Sequence, residues 1–235
     1  MKQVNEKVIT VQDCIDMYEK KDMITNNKVY MIGKIAKKPV FSHEAYSEGF
    51  YIFYIEAPRK SGNVDTLPVV VSERLVDINR LDVDRTVVIN GQIRSYNKHT
   101  DNEEHSHLIL SVFAREIDVL EDAEIDPDVN NAVEIVGHLC KPPIYRKTPL
   151  GREIADILVA VNRPYGKSDY IPCIVWGRNA KFAGRLEIGE HIQIQGRFQS
   201  REYAKKISDN EVETRTAYEV SVSKIDYAEE GEADV

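Results

Sequence analysis

Cysteine, tryptophan and long apolar runs are all scarce in this chain of 235 residues. The three cysteines (Cys14, Cys140, Cys173) form an odd, widely spaced set without metal-ligand spacing. That excludes a disulfide framework and a zinc module. No apolar run reaches the roughly 18 residues that a membrane-spanning helix needs. The first seven residues carry charge on both sides of a single valine, unlike a secretory signal. A reduced, cytoplasmic protein with no membrane partner is the expectation. Gly-x-x-x-x-Gly-Lys-Ser/Thr, Gly-x-Ser-x-Gly and His-Glu-x-x-His are absent from the sequence, which removes the commonest nucleotide, hydrolase and metalloprotease signatures. Cys140 and Cys173 fall in strand patterns and read as small packing residues. His99, His105 and His107 stand among Asp101, Glu103 and Glu104, a charged loop whose histidines read as solvated. No catalytic residue, metal or cofactor is expected, so the chain reads as a non-enzyme.

What is present is an ordinary globular composition, 42% hydrophobic and 30% charged, with an uneven charge distribution. The formal charge is −8, yet residues 130–206 hold thirteen basic side chains against seven acidic ones, a net of +6. The remainder therefore carries −14. A basic segment inside an acidic chain favours a polyanion site in that half.

The chain also repeats itself. Asn27-Lys-Val-Tyr-Met-Ile-Gly33-Lys-Ile-Ala-Lys-Lys-Pro39 returns as Asn131-Ala-Val-Glu-Ile-Val-Gly137-His-Leu-Cys-Lys-Pro-Pro143, an offset of 104. The offset holds at Arg74 against Arg178 and slips by one at Gly91 against Gly196. A period near 100 is a duplicated domain, not a solenoid. The expected organisation is an N-terminal segment 1–25, a first copy 26–121, an acidic linker 122–129, a second copy 130–228 and an acidic tail 229–235. In the N-terminal segment, Thr10 caps a predicted helix on which Val11, Cys14, Ile15 and Tyr18 share a face.

Within the second copy, apolar residues alternate at Val133/Ile135/Gly137/Leu139, Ala155/Ile157/Val159/Val161, Ile171/Cys173/Val175, Ile192/Ile194/Gly196/Phe198 and Tyr218/Val220/Val222. These are five period-two strands. A helical patch over 179–186 lies between the third and fourth, with Phe182 and Leu186 on one side. The plan is mainly β: two tandem OB-fold five-stranded barrels, each with a short helix between strands 3 and 4. Another small barrel or a sandwich is the alternative.

The core positions fix what the opposite face carries. Tyr170 and Trp176 point outward on the third strand. Arg197, Gln199, Arg201 and Tyr203 form a stripe on the fourth, and Tyr165 stands at the end of the second. Rings interleaved with cations on one face suit single-stranded nucleic acid, whose bases stack on aromatics while phosphates meet Arg and Lys. A lone exposed tryptophan is more often a minor interface, but four rings with flanking arginines favour the nucleic acid. Phosphate contacts are expected from Arg163, Arg178, Lys181, Arg197, Arg201 and Lys205.

Residues 130–206 resemble the bacterial single-stranded DNA-binding protein (SSB) family in its tandem OB-fold form. The resemblance rests on Asn131-Ala-Val-Glu-Ile-Val-Gly137, Thr148-Pro-Leu-Gly-Arg152, Leu158-Val-Ala-Val-Asn-Arg163, Tyr170-Ile-Pro-Cys-Ile-Val-Trp-Gly177 and Ile192-Gln-Ile-Gln-Gly-Arg-Phe-Gln-Ser-Arg-Glu-Tyr203. It implies an OB-fold, sequence-tolerant binding of single-stranded DNA, and roles in replication, recombination and repair. The family's base-stacking positions fall on Tyr165, Tyr170, Trp176 and Tyr203. The two-barrel form implies a homodimer with four barrels.

Two departures qualify that likeness. In the first copy the stacking positions are Ser61, Thr66, Ser72 and Lys98, while core positions such as Phe53, Ile55, Val71, Ile89 and Ile93 persist. That copy is expected to be structural or dimerising, with Arg74, Arg94, Tyr96 and Lys98 as weaker contacts. Residues 26–121 are expected to bind oligo-dT far more weakly than 130–228. The acidic tail also lacks the Pro-Phe tip through which family members recruit partner enzymes. The alternative function is an OB-fold interaction module for protein or RNA, an accessory subunit of a replication or mobile-element complex.

Overall fold

Proline decides where the first strand of each copy breaks. In the first copy a single Pro39 lies inside β1 (Asn27–Ala45), which passes it with shifts of register against β2 (Glu48–Pro58). In the second copy Pro142 and Pro143 together remove two N–H groups, and the strand divides into β6 (Asn131–Leu139) and β7 (Ile144–Lys147). The sequence pattern gave no sign of β7. The computed structural model describes residues 26–98, 107–121, 123–208 and 211–229. The expected helix of the N-terminal segment lies outside the described residues, as do His99, His105 and the side chain of His107.

The remaining strands are β3 (Val64–Ser72), β4 (Thr86–Lys98), β5 (His107–Leu120), β8 (Glu153–Arg163), β9 (Lys167–Trp176), β10 (His191–Ser208) and β11 (Glu211–Tyr227). Their pairings form two rings, β1-β2-β3-β5-β4 closing back on β1, and β6-β8-β9-β11-β10 closing back on β6. In each ring only the contact between the third and fifth strands is parallel. This is the OB-fold order, met once in each copy.

The alternating apolar residues fill the rings. Phe53, Ile55, Leu67, Val71, Ile89 and Ile93 are buried in the first barrel, and Val133, Ile157, Ile171, Val175, Ile194 and Phe198 in the second. The repeated glycine of the fourth strand has a steric cause. A Cβ at Gly91 would lie 2.3 Å from the Phe113 carbonyl oxygen, and one at Gly196 equally close to that of Ser221. Both glycines sit at a bulge where the fourth strand bends against the fifth.

The connections between third and fourth strands differ. The second barrel has α1 (Gly177–Ala183), which Gly177 enters at a φ of 60° and which packs Phe182 against the core. The first barrel has only one 3-10 turn, Ile78–Arg80, so the expected short helix is reduced there. Its sequence, Asp77-Ile-Asn-Arg, favours the turn because the Asp77 carboxylate accepts the Asn79 N–H.

The barrels join through antiparallel pairing of β1 with β6, Asn27 facing Ile135 and Met31 facing Asn131. The repeat offset exchanges those two pairs, so a local pseudo-two-fold axis passes between the strands. Side chains obey the same symmetry. Asn26 donates to the Asn162 carbonyl and Asn130 to that of Pro58, each at 3.0 Å and each across the junction. Asn27 and Asn131 instead tie β1 and β6 to Ile93 and Phe198 of their own fourth strands.

Candidate nucleic-acid interface

The third strand of the second barrel turns Ile171, Cys173 and Val175 inward, which leaves Tyr170 and Trp176 on its outer side. Tyr170 is 44% exposed, Trp176 40% and Tyr203 36%. Trp176 stands where β9 ends, and its indole N–H donates to the Ser221 hydroxyl on β11 at 3.3 Å. Tyr203 lies on the extended hairpin of β10 and β11, with the Arg201 guanidinium 5.8 Å from its ring centre. Tyr165 belongs to the one-turn helix Pro164–Gly166 between β8 and β9; its side chain lies outside the described residues.

The cations separate into two groups. Arg178, two residues past Trp176, is exposed. Arg201 is exposed and pairs loosely with Glu219 at 3.5 Å. Lys205 lies beyond Tyr203 on the same hairpin and is half-buried. Lys181 is exposed but held by Glu153 at 3.2 Å. Of these four, Arg201 has a contact with a ring, that of Tyr203.

Arg163 and Arg197, expected as phosphate contacts, are engaged elsewhere. Arg163 forms a bidentate pair with Asp169 and donates to the Ser95 carbonyl of the first barrel at 3.1 Å. Arg197 reaches Asp65 of the first barrel at 3.0 Å. Arg94, a weaker candidate, meets Asp169 at 2.9 Å. Asp65 and Asp169 are fully buried, which an unpaired carboxylate does not tolerate. Each therefore gathers two guanidiniums, Arg59 and Arg197 for one, Arg163 and Arg94 for the other. Burial lowers the pKa of Arg94 and Arg197, and the bond to Asp65 raises that of Arg59; all remain charged. These arginines close the junction between barrels.

Of the other first-barrel candidates, Arg74 is exposed beside Glu48 at 3.5 Å, and Tyr96 is exposed on β4. The Lys98 side chain lies outside the described residues. Asp65, Asp169, Ser95 and Ser200 were missed by sequence reasoning. The signal was there: Arg59/Arg163 and Asp65/Asp169 recur at offset 104, and Ser95/Ser200 at 105. Ser95 also bears on the rings, because its hydroxyl accepts the Tyr170 backbone N–H at 2.8 Å. Burial pushes the Cys173 thiol far up and raises that of Cys140, whose sulfur donates to the Leu158 carbonyl. Neither is a reactive thiolate. Among the described residues, no group of three or more His, Cys, Asp or Glu is placed to hold a metal, and no helix is long and apolar enough to cross a membrane.

Comparison with known proteins converges on this barrel. Residues 130–228 match the family described as the single-strand binding protein family. A single-stranded DNA-binding protein of Oceanobacillus iheyensis is 35% identical over 80 residues, 31% of this chain and 50% of the relative. Single-stranded DNA-binding protein 3 of Listeria innocua is 39% identical over 80 residues, with the same coverage. The chain thus spans about half the length of these relatives. The crystal structure of the wild-type single-stranded DNA binding protein from Thermus aquaticus superposes with a TM-score of 0.68. It covers 89% of this chain and 96% of that one at 20% identity, a likeness of fold that embraces both barrels.

Proposed function

We propose, from the match of residues 130–228 to the single-strand binding protein family, that the chain binds single-stranded DNA without regard to sequence and without catalysis. The observation that carries this is the outer surface of the second barrel. Tyr170, Trp176 and Tyr203 are exposed there, Arg201 lies over the Tyr203 ring, and Arg178 and Lys205 follow Trp176 and Tyr203 by two residues each. Duplex DNA hides its base faces, so this chemistry selects single strands. Tyr165 completes the stacking set. Lys181 contributes when a phosphate competes for it with Glu153. Replication, recombination and repair are the processes that expose such strands. A reduced cytoplasmic setting is part of the same reading. Two barrels per chain accord with a homodimer of four, which light scattering reads directly.

Trp176 is the single tryptophan, so its fluorescence reports one place. Oligo-dT is expected to quench it, and duplex of equal length to leave it nearly unchanged. Trp176→Ala is expected to cost about 1–3 kcal/mol of affinity. An unchanged Kd in a folded Trp176→Ala variant would overturn the assignment. Binding of oligo-U in preference to oligo-dT would transfer the protein to the RNA-interaction class.

A further inference from the structure

The first barrel has no ring at the position matching Trp176, and the strands on either side supply two. In the second barrel Trp176 faces Ile154 across β8 and bonds Ser221 on β11. The matching triplet in the first barrel is Ser72 on β3, Phe50 opposite it on β2, and Phe113 on β5. Large and small have exchanged places. The Phe50 and Phe113 ring centres lie 5.7 Å apart at an interplanar angle of 36°, with Ser72 buried.

These rings are not core. On β2 the barrel interior is filled by Phe53 and Ile55, both fully buried, whereas Phe50 and Tyr54 point the other way and are half-buried. Flat and cationic groups already lie against them. The exposed His43 ring is stacked on Phe50 at 4.9 Å and 9°, and the exposed Arg115 guanidinium is 5.4 Å from the Phe113 centre. Lys37 stands 5.4 Å over Tyr54. The nearby Glu48 is turned to the Ser72 hydroxyl and Arg74. On β4, Gln92 pairs with Phe113, and the exposed Tyr96 lies four residues further on the same side of the strand.

We infer that this outer surface of the first barrel is a second place for the bases of a single strand, built from Phe50, Tyr54, Tyr96 and Phe113, with His43, Lys37 and Arg115 at its margin. Rings stack a base of any identity, and cations beside them meet the phosphates that follow. The inference rests on the function proposed above and replaces the expectation of a purely structural first copy. The ring surface is kept, carried on the second and fifth strands instead of the third.

The test uses residues that the fold already accepts at the matching positions of the second barrel. In the full chain, Phe50→Ile, Tyr54→Leu and Phe113→Ser reproduce Ile154, Leu158 and Ser221. The combined variant is expected to bind oligo-dT about tenfold more weakly and to occlude fewer nucleotides. Quenching of Trp176 at saturation should persist. Unchanged affinity and occluded length in the folded triple variant would overturn the inference. A second measurement needs no variant: photocrosslinking of bromodeoxyuridine-substituted oligonucleotide to the wild-type chain. Adducts on residues 43–54, 96 or 113 would support the second place; adducts confined to 130–228 would refute it. Absence of Trp176 quenching in the wild type would instead bring down the function itself, so the two failures are distinct.

Discussion

The Asp65 carboxylate in the first barrel accepts the backbone N–H of Ser200 in the second at 2.8 Å. Asp169 returns the contact in the opposite direction, taking the N–H of Ser95. Each carboxylate thus accepts from the backbone of a strand of the other barrel while two guanidiniums neutralise it. The arginines are not distributed identically. Arg59 and Arg163 occupy matching positions, but Arg197 and Arg94 are displaced from one another by two residues along the fourth strand. Two residues preserve the face of a strand, so both still reach their carboxylate.

Removing one carboxylate should therefore loosen the whole junction. Asp169→Ala leaves Arg94 and Arg163 facing each other and the Ser95 N–H unpaired. The expected cost is about 3–5 kcal/mol, the usual penalty for breaking a buried ion pair from one side. Urea unfolding measures it, and a change below about 1 kcal/mol would contradict the role assigned to Asp169.

Arginines of the two groups should respond to substitution in opposite ways. Arg201→Gln is expected to weaken oligo-dT binding and to reduce the salt slope by about 0.7, one phosphate on a single strand. Arg197→Gln should lower the melting temperature with little effect on that slope, because its partner is Asp65. An equal loss of slope in both variants would mean that the junction opens to admit the strand.

The bulge glycines make a third case. Gly196→Ala would place a methyl group 2.3 Å from the Ser221 carbonyl oxygen, so β10 and β11 must separate locally. A loss of about 1–3 kcal/mol is expected, read by thermal unfolding. A stability equal to wild type would show that the bulge relaxes freely.

Alkaline pH gives a fourth. Burial, and secondarily Tyr54, pushes the Tyr218 phenol up to about 12 from an ordinary value of 10.0. Its folded-state pKa is raised, so the stabilisation is complete below the unfolded pKa and disappears as pH rises through the folded one. Stability should fall between about pH 10 and 12. Tyr218→Phe should flatten that fall, and phenolate absorbance at high pH should lose a late-titrating step in the variant. An identical alkaline profile in the variant would refute the assignment.

Much of the fold was legible because alternation has one meaning on a closed barrel. Ile171, Cys173 and Val175 had to be core, so Tyr170 and Trp176 had to be outside. Outward is as far as that logic reaches. It does not distinguish solvent from a neighbouring barrel, and for this reason Arg163 and Arg197 read like Arg201 although they lie at the junction. The displaced rings were hidden for a related cause. Position-by-position comparison of the copies asks whether Ser72 matches Trp176, whereas packing asks what surrounds Ser72, and the answer came from Phe50 and Phe113 on other strands. β7 escaped because four exposed residues after two prolines carry no periodic signal.

The pseudo-two-fold junction has a consequence for direction. A nucleic-acid strand has a 5′ and a 3′ end. Two identical faces related by a dyad would offer it two equivalent ways to lie, one the reverse of the other. Covalent linkage has let the two faces diverge, with a tryptophan on the third strand of one barrel and paired phenylalanines on the flanks of the other. If both faces take the strand as inferred above, the two orientations are no longer equal in energy. A chain with unlike barrels can assign the strand a polarity, and labels at opposite ends of an oligonucleotide would read which end lies over Trp176.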